Sequence, residues 1–169
     1  MWTISLKTLA VVAVLTLSMG ACSGTDPYLG MDAEALFRMA ENEVAEGEYG
    51  NAIDALERLR VSFGDWPRIA DARLMLADVH FEDGAYLTAR SEYQRWSERY
   101  VSHPLSVAAA IGQCRSLAGL VPNAQRDQGY TSEAITMCGN VAVDYPGTPE
   151  AEEAREVRIR LRLTMAEKD

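Results

Sequence analysis

Apolar residues recur at three- and four-residue spacings through most of the chain. Ala33, Leu36, Phe37, Ala40 and Val44 make one stripe, with Glu34, Glu41, Asn42 and Glu43 left to face water, which is the pattern of a helix with one buried side. Tyr49, Ala52, Ile53, Leu56 and Leu59 make a second stripe. Gly47 and Gly50 fall where the two meet, in "EVAEGEYGNAIDALERLRVSF". A glycine inside a helix costs about 1 kcal/mol relative to alanine, so the pair reads as punctuation. Gly47 stands just past the first stripe, where a helix end needs the positive φ that glycine adopts cheaply. The prediction is a helical hairpin turning at Gly47, its second helix running to about Phe63 and stopping before Gly64 and Pro67. Alanine at 40 and 52 lets the backbones approach closely, and Tyr49 fills the space beside the turn.

The hairpin recurs. Ala33, Ala35, Ala40, Gly47, Tyr49, Ala52 and Pro67 return 37 residues later as Ala70, Ala72, Ala77, Gly84, Tyr86, Ala89 and Pro104, and one constant offset over seven positions is an internal repeat. Val107, Ala109, Ile111 and Cys114 continue it at the same offset. From Gly129 the match resumes at an offset of 45, with Ala134, Cys138, Tyr145 and Pro149 under Ala89, Tyr93, Tyr100 and Pro104. Eight residues are therefore inserted in the third hairpin turn, within "LAGLVPNAQRDQGY", which is expected to be a loop. Beyond Pro149, Val157, Ile159, Leu161 and Leu163 alternate as a strand would, but "EAEEARE" and "MAEKD" flank them with strong helix formers. As a helix this segment carries one stripe of Val157, Leu161 and Met165 and another containing Ile159 and Leu163. The second stripe lacks a covering helix, so Ile159 and Leu163 are expected to mediate self-association or partner docking, unless the chain is a fragment of a longer gene product.

The expected fold is thus all-α, a solenoid of about three and a half helical hairpins: residues 33–67, 70–104, 107–149 and a partial unit at 150–169, following residues of another kind. Lys7 precedes the apolar run "LAVVAVLTL", which is too short for a bilayer span but has the length of a signal-peptide core. The following "SMGAC" resembles a bacterial lipobox, with Met19 where leucine is usual. That resemblance implies removal of residues 1–21, acylation of Cys22 and a lipid-anchored, flexible tether over 22–32; several acyl chains make a stable anchor where one would be marginal. The alternative is an ordinary secretory signal. Ser23, in place of an aspartate that would favour inner-membrane retention, implies the outer membrane.

Composition narrows the chemistry. The 169 residues are 48% hydrophobic and carry a formal charge of −9, ordinary for a globular domain and opposed to a nucleic-acid partner, which needs clustered cations. No G-x-S-x-G, H-E-x-x-H, P-loop or C-x-x-C motif is present, and neither His80, on a polar side of its helix beside Phe81, nor His103, in the loop before Pro104, is expected to be a ligand or a base. The carboxylates read as solvated helix faces. No enzyme activity, metal or cofactor is expected. Cys114 and Cys138 hold core positions on the two helices of the third hairpin, where the other hairpins have Ala40 with Leu56 and Ala77 with Tyr93. A small-plus-large packing pair is the local habit, so two buried thiols are expected in preference to a bridge, which would need Cα atoms within about 7 Å.

The order Ala40, Gly47, Tyr49, Ala52, Leu56, Pro67, repeated as Ala77, Gly84, Tyr86, Ala89, Tyr93, Pro104, resembles the tetratricopeptide repeat. The lengthened repeat, "SHP" closing the second unit, the expanded turn with "RDQ" before "EAI", "DYPGTPEAEEA" and the lipobox together resemble the BamD family, lipoprotein subunits of the β-barrel assembly machinery. This resemblance implies a non-enzymatic protein-binding scaffold at the periplasmic face of the outer membrane, with a BamA-like barrel protein and unfolded outer-membrane proteins as partners. It also implies a concave groove lined by first helices: Glu34, Phe37, Glu41 and Val44, then Asp71, Leu74, Asp78, Phe81 and Glu82, then Ala108, Ile111 and Arg115. Such a trough suits an extended peptide with apolar side chains and some positive charge. Against it stands the reading that Phe37, Leu74 and Ile111 only pack on neighbouring helices. A different function, as a periplasmic tetratricopeptide adaptor coordinating envelope constriction or peptidoglycan synthesis, would call for a heptad segment between Cys22 and Ala33, and none is there. A small envelope enzyme is the remaining class.

Overall fold

The computed structural model describes residues 27–121 and 129–166. Two units divide the chain at Gly30. Of the first, residues 27–30 are described and form a turn; Cys22 and the signal segment lie outside the described residues. The second unit is built from helices: α1 (Ala33–Glu46), α2 (Tyr49–Ser62), α3 (Ile69–Glu82), α4 (Tyr86–Arg99), α5 (Ser106–Leu120), α6 (Gly129–Asp144) and α7 (Pro149–Ala166). No strand occurs among the described residues.

Each boundary has a local cause. Asp32 opens α1 by accepting a 2.8 Å hydrogen bond from the Ala35 amide, the stabilising role of an N-cap carboxylate. Gly47 closes it at φ 79°, and the Glu48 amide turns back to the Glu43 carbonyl at 2.8 Å. The second hairpin repeats the device: Gly84 has φ 76° and the Ala85 amide donates to the His80 carbonyl at 2.9 Å. These paired bonds satisfy carbonyls that a helix end would otherwise leave unmet. Gly50 lies inside α2, so the punctuation belongs to Gly47 alone. Thr148 caps α7 through its hydroxyl, which accepts from the Ala151 amide at 3.2 Å, and Pro149 stands at the first helical position, where a missing amide proton is harmless. The helix over residues 149–166 is the outcome expected from its flanks; the alternation is incidental.

Consecutive helices pack as hairpins α1–α2, α3–α4 and α5–α6, stacked through α2–α3, α4–α5 and α6–α7, while α3 meets α5 and α5 meets α7 across the stack. The core follows the repeat. Ala40, Ala52, Ala77, Ala89, Ala109 and Ala134 have no exposed surface, so the helix crossings are made by side chains one methyl deep. Between the second and third hairpins Trp96 is buried and its Nε1 donates to the Ala70 carbonyl at 2.7 Å. His103 stacks edge-on against this indole with ring centroids 5.3 Å apart, and its Nδ1 accepts from the Leu105 amide at 3.2 Å.

One expectation needs correction. Cys114 and Cys138 form a disulfide, with Cα atoms 4.9 Å apart. The other hairpins put Leu56 or Tyr93 where the third has Cys138; with a cysteine on both sides, the close approach of α5 and α6 meets the geometry a bridge requires. The segment expected to hold the inserted loop is bounded by α5, which ends at Leu120, and α6, which begins at Gly129. Residues 122–128 of that segment lie outside the described residues.

α5 carries two glycines whose role is packing. A Cβ on Gly112 would lie 2.4 Å from the Tyr93 ring, and one on Gly119 would lie 2.8 Å from the Tyr86 ring. Two tyrosines of α4 therefore lie flat on the bare backbone of α5, which accounts for glycines that weaken the helix itself.

Candidate functional site

The stacking of α3, α5 and α7 leaves a groove along one side of the second unit. One cavity, of about 310 Å³, is lined by Asp78, Phe81, Glu82, Tyr93, Ala108, Ile111, Arg115 and Glu150. A second, of about 490 Å³, is lined by Phe81, Glu82, Arg115, Ala118, Glu153, Val157, Arg160, Leu161 and Thr164. Phe81, Glu82 and Arg115 belong to both, so the two meet there.

Helical spacing builds this wall. On α3, Asp78, Phe81 and Glu82 share one face; on α5, Ala108, Ile111, Arg115 and Ala118 do; on α7, Glu150, Glu153, Val157, Arg160, Leu161 and Thr164 do. The floor is apolar. Its rim is charged, with carboxylates outnumbering arginines, and Arg115 is tied to Glu153 by two parallel bonds of 2.5 Å from Nε and Nη2. That bond to Glu153 raises the Arg115 pKa, against the desolvation of its guanidinium. Both partners remain over a third exposed, so the bridge orients α5 against α7 more than it stabilises the fold. Asp78, Glu82 and Glu150 remain as the acidic end of the groove.

Beneath that end the Tyr93 hydroxyl donates to Asp78 Oδ1 at 2.5 Å. Asp78 keeps much of its surface in contact with solvent, yet the protein crowded around its carboxyl raises its pKa by desolvation, opposed by the Tyr93 hydrogen bond and the nearby Arg115 charge. Tyr93 is pushed up strongly, first by burial and then by the Asp78 charge. It stays a neutral donor. The pair fixes a carboxylate at the groove wall; no nucleophile stands beside it, and the described residues hold no group of three or more metal-ligating side chains.

Of the residues expected in the groove, Asp78, Phe81, Glu82, Ile111, Arg115 and Ala108 are brought together. Ile111 is buried as part of the floor. Glu34, Phe37, Glu41, Val44, Asp71 and Leu74 line neither cavity. Phe37 is buried against Trp66, with ring centroids 5.4 Å apart, and the Arg68 guanidinium covers its ring at 4.5 Å. Leu74 is buried with Ala70, Ala77, Tyr93 and Trp96. For these two the packing reading holds. Glu34 and Asp71 both face Arg68, at 3.5 and 3.4 Å; Glu41 is exposed and Val44 half-buried. The α7 wall was missed, although the repeat carried a signal for it: the 45-residue offset takes Ala108 to Glu153 and Arg115 to Arg160, both of which line the groove.

Stacked hairpins with a groove across their first helices define a helical-repeat domain. More particularly, the chain belongs to the YfiO family, described as outer membrane lipoprotein, which it matches over residues 30–169. Among curated proteins no match is found. Among the described residues no helix is long and apolar enough to cross a membrane.

Proposed function

We propose that this outer membrane lipoprotein acts as a scaffold in β-barrel assembly, anchored through acylated Cys22 at the periplasmic face. In this reading it holds unfolded outer-membrane proteins in the groove and docks a BamA-like barrel protein on another surface. The observation that carries the reading is the groove itself, whose apolar floor and acidic end suit an extended segment with aromatic and some cationic side chains. Exposed Glu41, with exposed Glu34 and half-buried Asp71 beside Arg68, carries acidic chemistry along the first two hairpins, and Ile159 and Leu163, 58% and 61% exposed on α7, supply an apolar surface for a partner or a second copy.

The test is titration of the full chain in detergent with peptides from the C-terminal strands of barrel proteins. Phe81→Ala and Glu82→Lys should each weaken binding about tenfold, the effect of removing one anchor contact. Copurification after gentle membrane extraction should recover a BamA-like protein. Recovery of a peptidoglycan synthase instead would favour the adaptor reading, and an unmodified Cys22 by mass spectrometry would remove the anchor.

A further inference from the structure

A second charged cluster lies on α3 away from the groove. Arg73 of α3 lines a small depression with Glu92, Arg95, Trp96, Arg99 and Tyr100 of α4 and its C-terminus. Arg73 stands five residues before Asp78, about 140° around the helix at 3.6 residues per turn, so it points away from the groove. Three guanidinium groups gather here in a chain of formal charge −9, and like charges repel unless countered. Only Arg95 is countered, by Glu92 Oε1 at 2.5 Å. Arg73 and Arg99 have no ion-pair partner among the described residues. Arg73 Nε is shut off from solvent and finds no hydrogen-bond acceptor there; an unmet charged donor costs more than an ordinary unmade hydrogen bond.

The wall of this depression is fixed. Trp96 is held by its bond to the Ala70 carbonyl and stacks on Tyr100 with centroids 5.1 Å apart. The space measures about 10 Å³, near the volume of one water-sized probe.

We propose that Arg73 and Arg99 form a docking point for an acidic side chain of a protein partner, an Asp or Glu whose carboxylate bridges the outer nitrogens of the half-buried Arg73 and the exposed Arg99 at the mouth of the depression. Arginine suits this role because its planar fork matches the two oxygens of a carboxylate. The surface is opposite in sign to the groove, so the two sides of α3 select partners of opposite charge. The inference does not depend on what occupies the groove.

The test uses the full chain in detergent micelles, titrated calorimetrically with hexaglutamate, with hexaserine, inorganic phosphate and phosphatidylglycerol vesicles for comparison. Hexaglutamate should bind saturably and hexaserine should not. Arg73→Gln and Arg99→Gln should each weaken hexaglutamate about tenfold, the loss of one charge-assisted bond, while Arg162→Gln on α7 leaves it unchanged. Arg99 is exposed, so its variant reports even if Arg73→Gln perturbs folding. Binding untouched by both substitutions overturns the proposal. So does phosphate or the vesicles competing as well as hexaglutamate, which would make this a headgroup site. So too does a stability gain in Arg73→Met with peptide binding intact, the mark of a trapped water.

Discussion

Breaking the Cys114–Cys138 bridge, by reduction or by Cys114→Ala with Cys138→Ala, should loosen the third hairpin and leave the first intact. The bridge spans 24 residues, and closing a loop of that length removes unfolded-state entropy worth about 3.5 kcal/mol at 25 °C. The double substitution adds roughly 1 kcal/mol for the packing volume of the lost sulfur atoms, mostly at 138, because Ala40 and Ala77 already hold the place of Cys114 in the other hairpins. For a domain of this size the cross-link term corresponds to a fall in Tm of roughly 12 °C. Because hairpins in such a stack touch only their neighbours, amide exchange should quicken in α5, α6 and α7 and stay slow in α1 and α2. Calorimetry with and without reductant measures the first effect, and exchange mass spectrometry the second. A native protein whose mass does not rise by two hydrogens on reduction, or whose Tm is indifferent to it, refutes the reasoning.

Gly112→Ala should destabilise the domain by about 1–2 kcal/mol in urea titration, since overfilling beside the Tyr93 ring outweighs the gain in helix propensity. Gly50→Ala, where a Cβ meets nothing within 4 Å, should instead stabilise by about 0.5–1 kcal/mol. Burial holds the Asp78 carboxyl above the usual aspartate range in the folded chain, so the folded chain keeps its proton longer, and this group lowers stability as pH rises from the ordinary aspartate value through the folded one. Asp78→Asn should therefore match the parent protein in Tm at lower pH and exceed it at neutral pH; a gap that closes as pH rises contradicts the assignment. Light scattering of the full chain in detergent should show a concentration-dependent dimer that Leu163→Glu dissolves, and a strict monomer at all concentrations removes self-association through α7.

The fold was legible where one residue type answers one backbone need. Gly47 and Gly84 had to be turns because a left-handed conformation favours glycine, and the alanine positions had to be crossings because they recur with the turns. The disulfide was not legible, because a bridge depends on the separation of α5 and α6 to within an ångström or two, and core cysteines at those positions fit a packed pair equally well. Half of the groove was legible from the inward positions of α3 and α5. Phe37 and Leu74 were placed on its wall by the resemblance to other repeat domains, yet an inward position cannot say whether an apolar face meets a ligand or the next helix; Trp66 packs on Phe37 and the Tyr93 layer on Leu74. The contact of Tyr93 with Asp78 joins residues 15 apart on different helices, and nothing local in either helix announces it.

The seating of Tyr93 on Gly112 bears on how such an array can change its number of units. The corresponding places at the junctions before and after, counted by the repeat offsets, hold Leu56 with Met75 and Cys138 with Val157. Each junction divides its bulk differently between the two sides. Excising one 37-residue unit, residues 70–106, would set Leu56 opposite Gly112 and open a void, whereas duplicating it would press Tyr93 against a methionine. The hairpins look alike in outline but are not exchangeable parts. A descendant with one unit more or fewer would have to change a junction residue as well, so gain or loss of a hairpin within this stretch takes more than one step, unlike substitution on its outer surface.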